Sequence, residues 1–376
     1  MNDIEYWIWI SLLTGMGAVK ARKLLEEYKS PKYIYDMKEQ ELTQIRLLTE
    51  KNITEILDKE KRERVNQIYQ SMIKYNIKMI NIFDDKYPYN LRQIFDPPVA
   101  LFYIGKFEIN NFAIAIVGSR KTTKYGYLSA KKLSYELAMR GVQVVSGLAR
   151  GIDSIAHEGC LDAGGKTVAV LGCGLDNIYP ADNKKLFEDI IRSDGLAISE
   201  YAPGTPPLQH NFPARNRIIS GISSGVLVVE AAGRSGSLIT ASYALEQGRE
   251  VFAVPGNIDC AYSRGTNQLI KEGAKIVVCA EDILEEYGYR RLCLNNNMQI
   301  DELPDTDTKT DYSMLKGLGT EEIRIVKIIS NGIHHIDEII AKSDISVKDA
   351  NNILFMLEMK GIITQLPGKI FNMSVT

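Results

Sequence analysis

The sequence has little of what disulfide scaffolds, zinc centres or membrane spans require. Its five cysteines, Cys160, Cys173, Cys260, Cys279 and Cys293, are odd in number and scattered without any CxxC pair. Neither a disulfide framework nor a metal site is indicated, and a reducing compartment fits. No apolar run approaches the length that spans a bilayer, and the stretch Met1 to Glu5 lacks the basic region of a secretory leader. The expectation is a cytoplasmic protein without a membrane segment. Charge is also nearly balanced, with a formal net charge of -2 and a pI near 6.2. Any site for a polyanion must therefore come from local clustering.

What is present is an ordinary soluble composition, 45% apolar and 24% charged, over 376 residues. That length accommodates two or three domains with cores of their own. The chain is organised around residues 112 to 157. Phe112 to Val117 is an apolar run of the kind buried on both sheet faces, and it breaks at Gly118, Ser119 and Arg120. Thr123 to Arg140 follows with Leu128, Leu133, Leu137 and Ala138 at helical spacings, which predicts an amphipathic helix stopped by Gly141. Val142 to Ser146 predicts a second strand, and Gly147 to Asp153, carrying Arg150, turns the chain into another helix. This is a βαβ unit whose glycine- and arginine-bearing loops lie at the carboxyl ends of neighbouring strands, where open parallel sheets take their ligands. Between 118 and 132 stand Arg120, Lys121, Lys124, Lys131 and Lys132 with no acidic residue. A basic ligand face and a solvated helix face both fit that run.

Thr167 to Leu171 predicts a third strand, ending in Gly172, Cys173 and Gly174, where glycine would let backbone amides approach a ligand. Lys184 and Phe187 then share a helix face, suiting a phosphate beside a stacked base. A core Phe187 with a merely solvated Lys184 fits the same spacing. A short strand, Leu196 to Glu200, and a proline-rich loop lead to Pro213, which predicts a helix whose first turn holds Arg215, Asn216 and Arg217. Basic groups there oppose the helix dipole unless an anion or a carboxylate answers them. After the strand Gly225 to Glu230, the loop with Ser235, Gly236 and Ser237 opens a helix, an arrangement in which free amides and the dipole both favour an anion. Strands at Gly248 to Val254 and Ile276 to Cys279, with a short helix Asn267 to Glu272 between them, bring the count to six or more. The prediction is a doubly wound α/β sheet.

The flanks differ in character. Residues 1–75 read as a helical domain with a Gly15-Met16-Gly17 turn of helix-hairpin-helix type, which can face a phosphate or serve geometry alone. Residues 76–111 read as an extended lead-in to the Rossmann-like domain of 76–290, packed on its sheet. The asparagine- and aspartate-rich stretch 291–312 reads as a linker. In 313–376, helices over Glu321 to Ser330, Ile336 to Ala341 and Val347 to Met359 precede a hairpin, Ile362 to Met373. That is the pattern of a winged helix.

Several motifs now fall into a familiar order. Val117-Gly118-Ser119-Arg120, Ser146-Gly147-Leu148-Ala149-Arg150-Gly151-Ile152-Asp153, Val170-Leu171-Gly172-Cys173-Gly174 with Tyr179-Pro180, Phe212-Pro213-Ala214-Arg215-Asn216-Arg217 and Ser235-Gly236-Ser237-Leu238 resemble the DprA/Smf family of bacterial DNA-processing proteins. The likeness runs from about Tyr87 to Ile283, and the three-part layout also matches. It implies a single-stranded DNA binder of natural transformation and recombination, a homodimer that protects incoming strands and helps load the RecA recombinase, with neither catalytic chemistry nor a cofactor. It also implies DNA contacts at Arg120, Lys184 and Phe187, and a dimer contact within Gly265 to Ile276. The rival is an enzyme of the same fold, a nucleoside-monophosphate phosphoribohydrolase. Its Gly-Gly-x-Gly-Thr signature with following glutamates is broken here, with Arg234 at the second glycine and Ile239 and Thr240 in the acidic positions. Glu200 and Glu230 remain as candidate proton carriers for that reading.

Overall fold

The fold is that of a computed structural model describing residues 1–233, 235–287, 319–330, 336–343, 345–360, 362–366 and 370–373. The expected linker, 291–312, and Arg234 lie outside the described residues. The chain forms two compact units, Met1–Tyr289 and Arg290–Thr376.

In the first unit, helices α1 (Asp3–Ser11), α2 (Ala18–Tyr28), α3 (Pro31–Asp36), α4 (Glu39–Leu42), α5 (Glu50–Ile56) and α6 (Lys59–Lys74) precede the sheet. Their apolar faces meet in a core around Trp9, Leu24, Leu25 and Ile56, which runs on without a break to Phe102, Leu171 and Ala197 of the sheet. The Gly15 turn is used internally, since Glu55 Oε1 accepts from the Gly15 N–H at 3.0 Å and Asn52 Nδ2 donates to the Gly15 carbonyl at 3.3 Å. A phosphate approaching that amide would meet a carboxylate, so the turn serves geometry.

The sheet has nine strands: β1 (Lys78–Asn81), β2 (Ala100–Gly105), β3 (Ala113–Val117), β4 (Gln143–Ser146), β5 (Thr167–Leu171), β6 (Leu196–Ser199), β7 (Gly225–Val228), β8 (Glu250–Ala253) and β9 (Lys275–Ile276). Their spatial order is β1-β2-β6-β5-β4-β3-β7-β8-β9. Strands β3 to β9 pair in parallel, while β1 and β2 add antiparallel on the β6 edge. The lead-in is therefore part of the sheet and not a segment lying on it. Its prolines break only the intervening loop, where the Tyr87 hydroxyl donates to the Pro98 carbonyl at 2.7 Å.

Between the strands run α7 (Tyr89–Arg92), α8 (Lys124–Met139), α9 (Ile152–Asp162), α10 (Lys184–Arg192), α11 (Asn211–Ile222), α12 (Gly236–Glu246), α13 (Arg264–Lys271) and α14 (Ala280–Glu286). Helices α8, α9 and α14 cover one face through Leu133, Ile155 and Ile283, and α11, α12 and α13 cover the other through Ile218, Ala241 and Leu269. Burial on both faces explains why β3, β5 and β7 are unbroken apolar runs. Three local expectations change. Leu128 is exposed, because it stands about 200° around α8 from the buried Ala130. Helix α11 starts at Asn211, so Arg215, Asn216 and Arg217 fall in its second turn. The last strand is the pair Lys275–Ile276, and α13 begins at Arg264. The chain moves outward in one direction from β3 to β6 and in the other from β7 to β9. The switch point lies between β3 and β7.

The second unit holds α15 (Thr320–Ser330), α16 (Ile336–Ser343), α17 (Val347–Met359), β10 (Ile363–Leu366) and β11 (Ile370–Met373). The two strands pair antiparallel, and Ile363 and Phe371 close a core with Ile325, Ile339 and Leu354. Three helices with such a hairpin make a winged helix. Lys360, at the end of α17, is held by Glu322 at 2.7 Å.

Candidate functional site

A cavity of about 620 Å³ opens at the carboxyl ends of β3 and β7, where the strand order reverses. Gly118 forms its floor because nothing larger fits: a Cβ there would lie 2.6 Å from Ile152 Cγ1 and 2.9 Å from the Glu230 carbonyl. The next residue is locked from two sides. The Ser119 N–H donates to the Glu230 carbonyl at 2.8 Å, and the Ile152 N–H donates to the Ser119 carbonyl at 3.1 Å. Arg120 thus springs from a fixed backbone. Its side chain is exposed and makes no ion pair with any described carboxylate, and its guanidinium carbon lies 5.6 Å from the centroid of the Phe212 ring.

The opposite wall is the start of α12. Ser235 caps the helix, its Oγ accepting from the Ser237 N–H at 3.4 Å and lying 2.7 Å from Ser237 Oγ. Asn216 Nδ2 ties α11 to this wall through the Gly236 carbonyl at 3.2 Å. Two hydroxyls and a helix N-terminus therefore face the same opening as a guanidinium without a salt bridge among the described residues. This is chemistry for a phosphate.

Arg215 reaches the cavity from beneath, almost wholly buried. It donates to the Gly147 carbonyl at 2.7 Å and to the Val170 carbonyl, bracing the loop after β4 against the end of β5. The Asp153 carboxylate accepts from the Gly147 N–H at 3.1 Å. Burial raises the Asp153 carboxyl above its ordinary range, and the charge of Arg215 opposes that shift. Burial in turn lowers the Arg215 guanidinium, which Asp153 partly restores. Gly147 admits both side chains because a Cβ would lie 2.7 Å from each.

The structure brings Gly118, Ser119, Arg120, Arg215, Asn216, Ser235, Gly236 and Ser237 to one cavity. The remaining candidates stand elsewhere. Arg217 points away and is sandwiched by Glu200 at 2.6 Å and Asp96 at 2.9 Å, which hold its guanidinium protonated. Carboxylates, and not a ligand, answer that charge. Gly172 is buried against the Phe212 ring, and the Gly174 amide donates to the Thr205 carbonyl at 2.9 Å, so the Gly174 amide is not open to a ligand. Arg150 lies on the surface, paired with Asp182 at 2.7 Å. Phe187 is buried in the core beside Ile190, while Lys184 is exposed. Both line a separate depression of about 610 Å³ with Tyr75, Ile178 and Arg192. Of the basic run, Lys131 is paired with Asp162 at 2.6 Å and Lys132 with Glu136 at 3.7 Å.

Sequence reasoning did not place Tyr179 and Phe212 at the cavity they line. Each precedes a proline at the end of a loop, a signal that marks a turn without saying which way the ring faces.

With this geometry in view, the relatives can be set beside it. Residues 78–288 match the family described as DNA recombination-mediator protein A, and residues 315–369 match the DprA winged helix domain. Protein Smf of Synechocystis sp. is 33% identical over 390 aligned positions, covering 98% of each chain. The crystal structure of DNA processing protein A from Streptococcus pneumoniae is 40% identical with a TM-score of 0.66, covering 76% of this chain and 99% of that one. The DNA processing protein A of Helicobacter pylori, whose single-stranded DNA binding mode has been studied structurally, is 30% identical with a TM-score of 0.52, covering 57% of this chain and 96% of that one. A sheet with a cavity at its switch point, preceded in the chain by a helical region and followed by a winged helix, and matched along its length by these proteins, shows that the chain belongs to the DprA/Smf family of DNA-processing proteins.

Proposed function

We propose that the chain binds single-stranded DNA through the β3–β7 cavity and acts in DNA recombination without catalysing a reaction. One observation carries this reading: Arg120, on a locked backbone and without a carboxylate partner among the described residues, faces the Ser235–Ser237 helix start across an open cavity. Those groups suit backbone phosphates and offer little that reads base edges.

The hydrolase reading lacks a proton carrier at this place. Glu230 is only 1% exposed and is held by the Thr123 N–H at 3.1 Å and by the Thr123 hydroxyl. Glu200 is held by Arg217 and faces a different cavity. Asp153 is the carboxylate lining the site, and it is buried against Gly147. General acid/base work at a ribose needs a carboxyl group free to reach it.

On this reading the bound strand is passed to the RecA recombinase, and the working form is a cytoplasmic homodimer. The test is fluorescence anisotropy with a labelled single strand and a duplex of matched length over a range of salt. The single strand should bind more tightly, with log K falling linearly with log salt. Equal affinity for the duplex, or release of ribose 5-phosphate from a nucleoside monophosphate, overturns the proposal.

A further inference from the structure

The cavity holds two aromatic rings that the phosphate-facing groups do not require. The Tyr179 and Phe212 rings lie 5.5 Å apart between centroids with their planes 39° apart. Neither belongs to the hydrophobic cores of the sheet or helices, and Tyr179 is 43% exposed. An exposed ring and a partly buried one at the mouth of a cavity, outside the cores, do little for the stability of the fold. Their positions are nonetheless fixed. Phe212 is the second residue of α11, and its edge rests on Gly172, where a Cβ would come within 2.9 Å of Phe212 Cδ1. Gly172 thus bears on the site through the ring it seats. Above that ring lies the Arg120 guanidinium at 5.6 Å, close enough for the ring quadrupole to hold the cation in place.

We propose that Tyr179 and Phe212 form a nucleobase seat, on which one base of the strand stacks while an adjoining phosphate is held by Arg120 and the α12 start. The inference rests on the single-strand reading above and adds a requirement for a base to that for phosphates. A base sandwiched between the rings would need about 6.8 Å, twice the roughly 3.4 Å of one stacked step. The 5.5 Å separation is too small. The base therefore lies on the outward face of the pair, an arrangement that tolerates any base because each has a π-face. The exposed face of Tyr179 supplies the surface. The Arg120 guanidinium over the Phe212 ring places a positive charge within reach of the neighbouring phosphate.

The test compares a short oligothymidylate with a strand of the same length in which tetrahydrofuran abasic units replace the nucleosides. The phosphates are unchanged and the bases are gone. The wild-type chain should bind the abasic strand about tenfold or more weakly, consistent with the loss of base–aromatic stacking. Phe212→Leu and Tyr179→Leu should each lower affinity for thymidylate and shrink that ratio, whereas Phe212→Trp should retain it. Two leucine variants, each checked by thermal melting, guard against one that misfolds. Equal binding of the two strands by the wild-type chain overturns the seat. So does an unchanged ratio in both leucine variants, or a ratio that instead collapses in Phe187→Leu. Failure of the underlying reading looks different: Arg120→Ala would then leave the affinity for both strands unaltered.

Discussion

Replacing Arg120 with alanine separates a ligand clamp from a structural arginine. The side chain is exposed and unpaired with any described carboxylate, so its removal strands no buried charge. What the fold loses is the interaction with the Phe212 ring at 5.6 Å, worth about 0.5 to 1 kcal/mol at an exposed site. In a unit of this size that shifts the melting temperature by about 2 to 4 °C at most. Binding should change far more. A charge-assisted hydrogen bond to phosphate contributes about 1.5 to 3 kcal/mol, or roughly 10- to 150-fold in the dissociation constant. The slope of log K against log salt should fall by roughly 0.7 for each phosphate that is no longer neutralised. Arg120→Lys should recover part of the affinity, since it restores the charge but not the two-pronged geometry. The measurements are anisotropy titrations at several salt concentrations beside differential scanning calorimetry. A variant that melts much earlier yet binds a long oligonucleotide normally below its transition refutes the assignment.

Arg217→Ala should behave in the opposite way. It leaves Glu200 and Asp96 facing one another without their shared cation, which should cost about 2 to 4 kcal/mol of stability on chemical denaturation, while the folded fraction binds DNA within about threefold of normal. Gly118→Ala should lower both stability and affinity, because the new methyl meets the Glu230 carbonyl at 2.9 Å as well as a side chain at 2.6 Å; a loss of about 1 to 3 kcal/mol is expected for such overpacking, and a wild-type melting curve would contradict the steric argument. His157 gives a pH dependence of known sign. Burial, and then the charge of Arg215, lower its pKa from the usual 6.5 to about 3, so between those values the unfolded chain takes up a proton that the folded chain refuses. Its contribution to stability is present above about pH 6.5 and declines on acidification by about 1.4 kcal/mol per pH unit. Urea denaturation at pH 7 and pH 5 should show His157→Gln losing less stability on acidification than the wild type, by about 2 kcal/mol.

Much of the sheet was legible because burial on two faces leaves so plain a mark. Thr167 to Leu171 reads as a strand at both ends because Gly165 precedes it and Gly172 follows it, and the structure has the same bounds. The segment of β1 and β2 read as extended, but its pairing into the sheet was not legible, since prolines interrupt the chain between the two strands and they pair antiparallel at an edge, where alternation is weak over four to six residues. The Gly15 turn was equally ambiguous. The group that settles it, Glu55, lies forty residues further along the chain.

The arginines show why a site is harder to read than a fold. Arg120, Arg150, Arg215 and Arg217 all lie just before a helix or near its start, close to glycines or prolines, and local pattern gives each a similar claim on an anion. Long-range partners divide them. Asp182 takes Arg150, two backbone carbonyls take Arg215, and Glu200 with Asp96, the latter more than a hundred residues away, takes Arg217. Arg120 has an aromatic ring in place of an acid. A guanidinium near water does not need a carboxylate for stability, but one rigidly placed over a cavity, opposite a helix start, and acting on the buried Asp153 carboxylate only through space, keeps its hydrogen-bonding groups free for an anion. On the proposed reading, that unpaired charge marks the DNA-binding group among four similar ones, and it becomes visible only when the partners that satisfy the other side chains have been brought into place by folding.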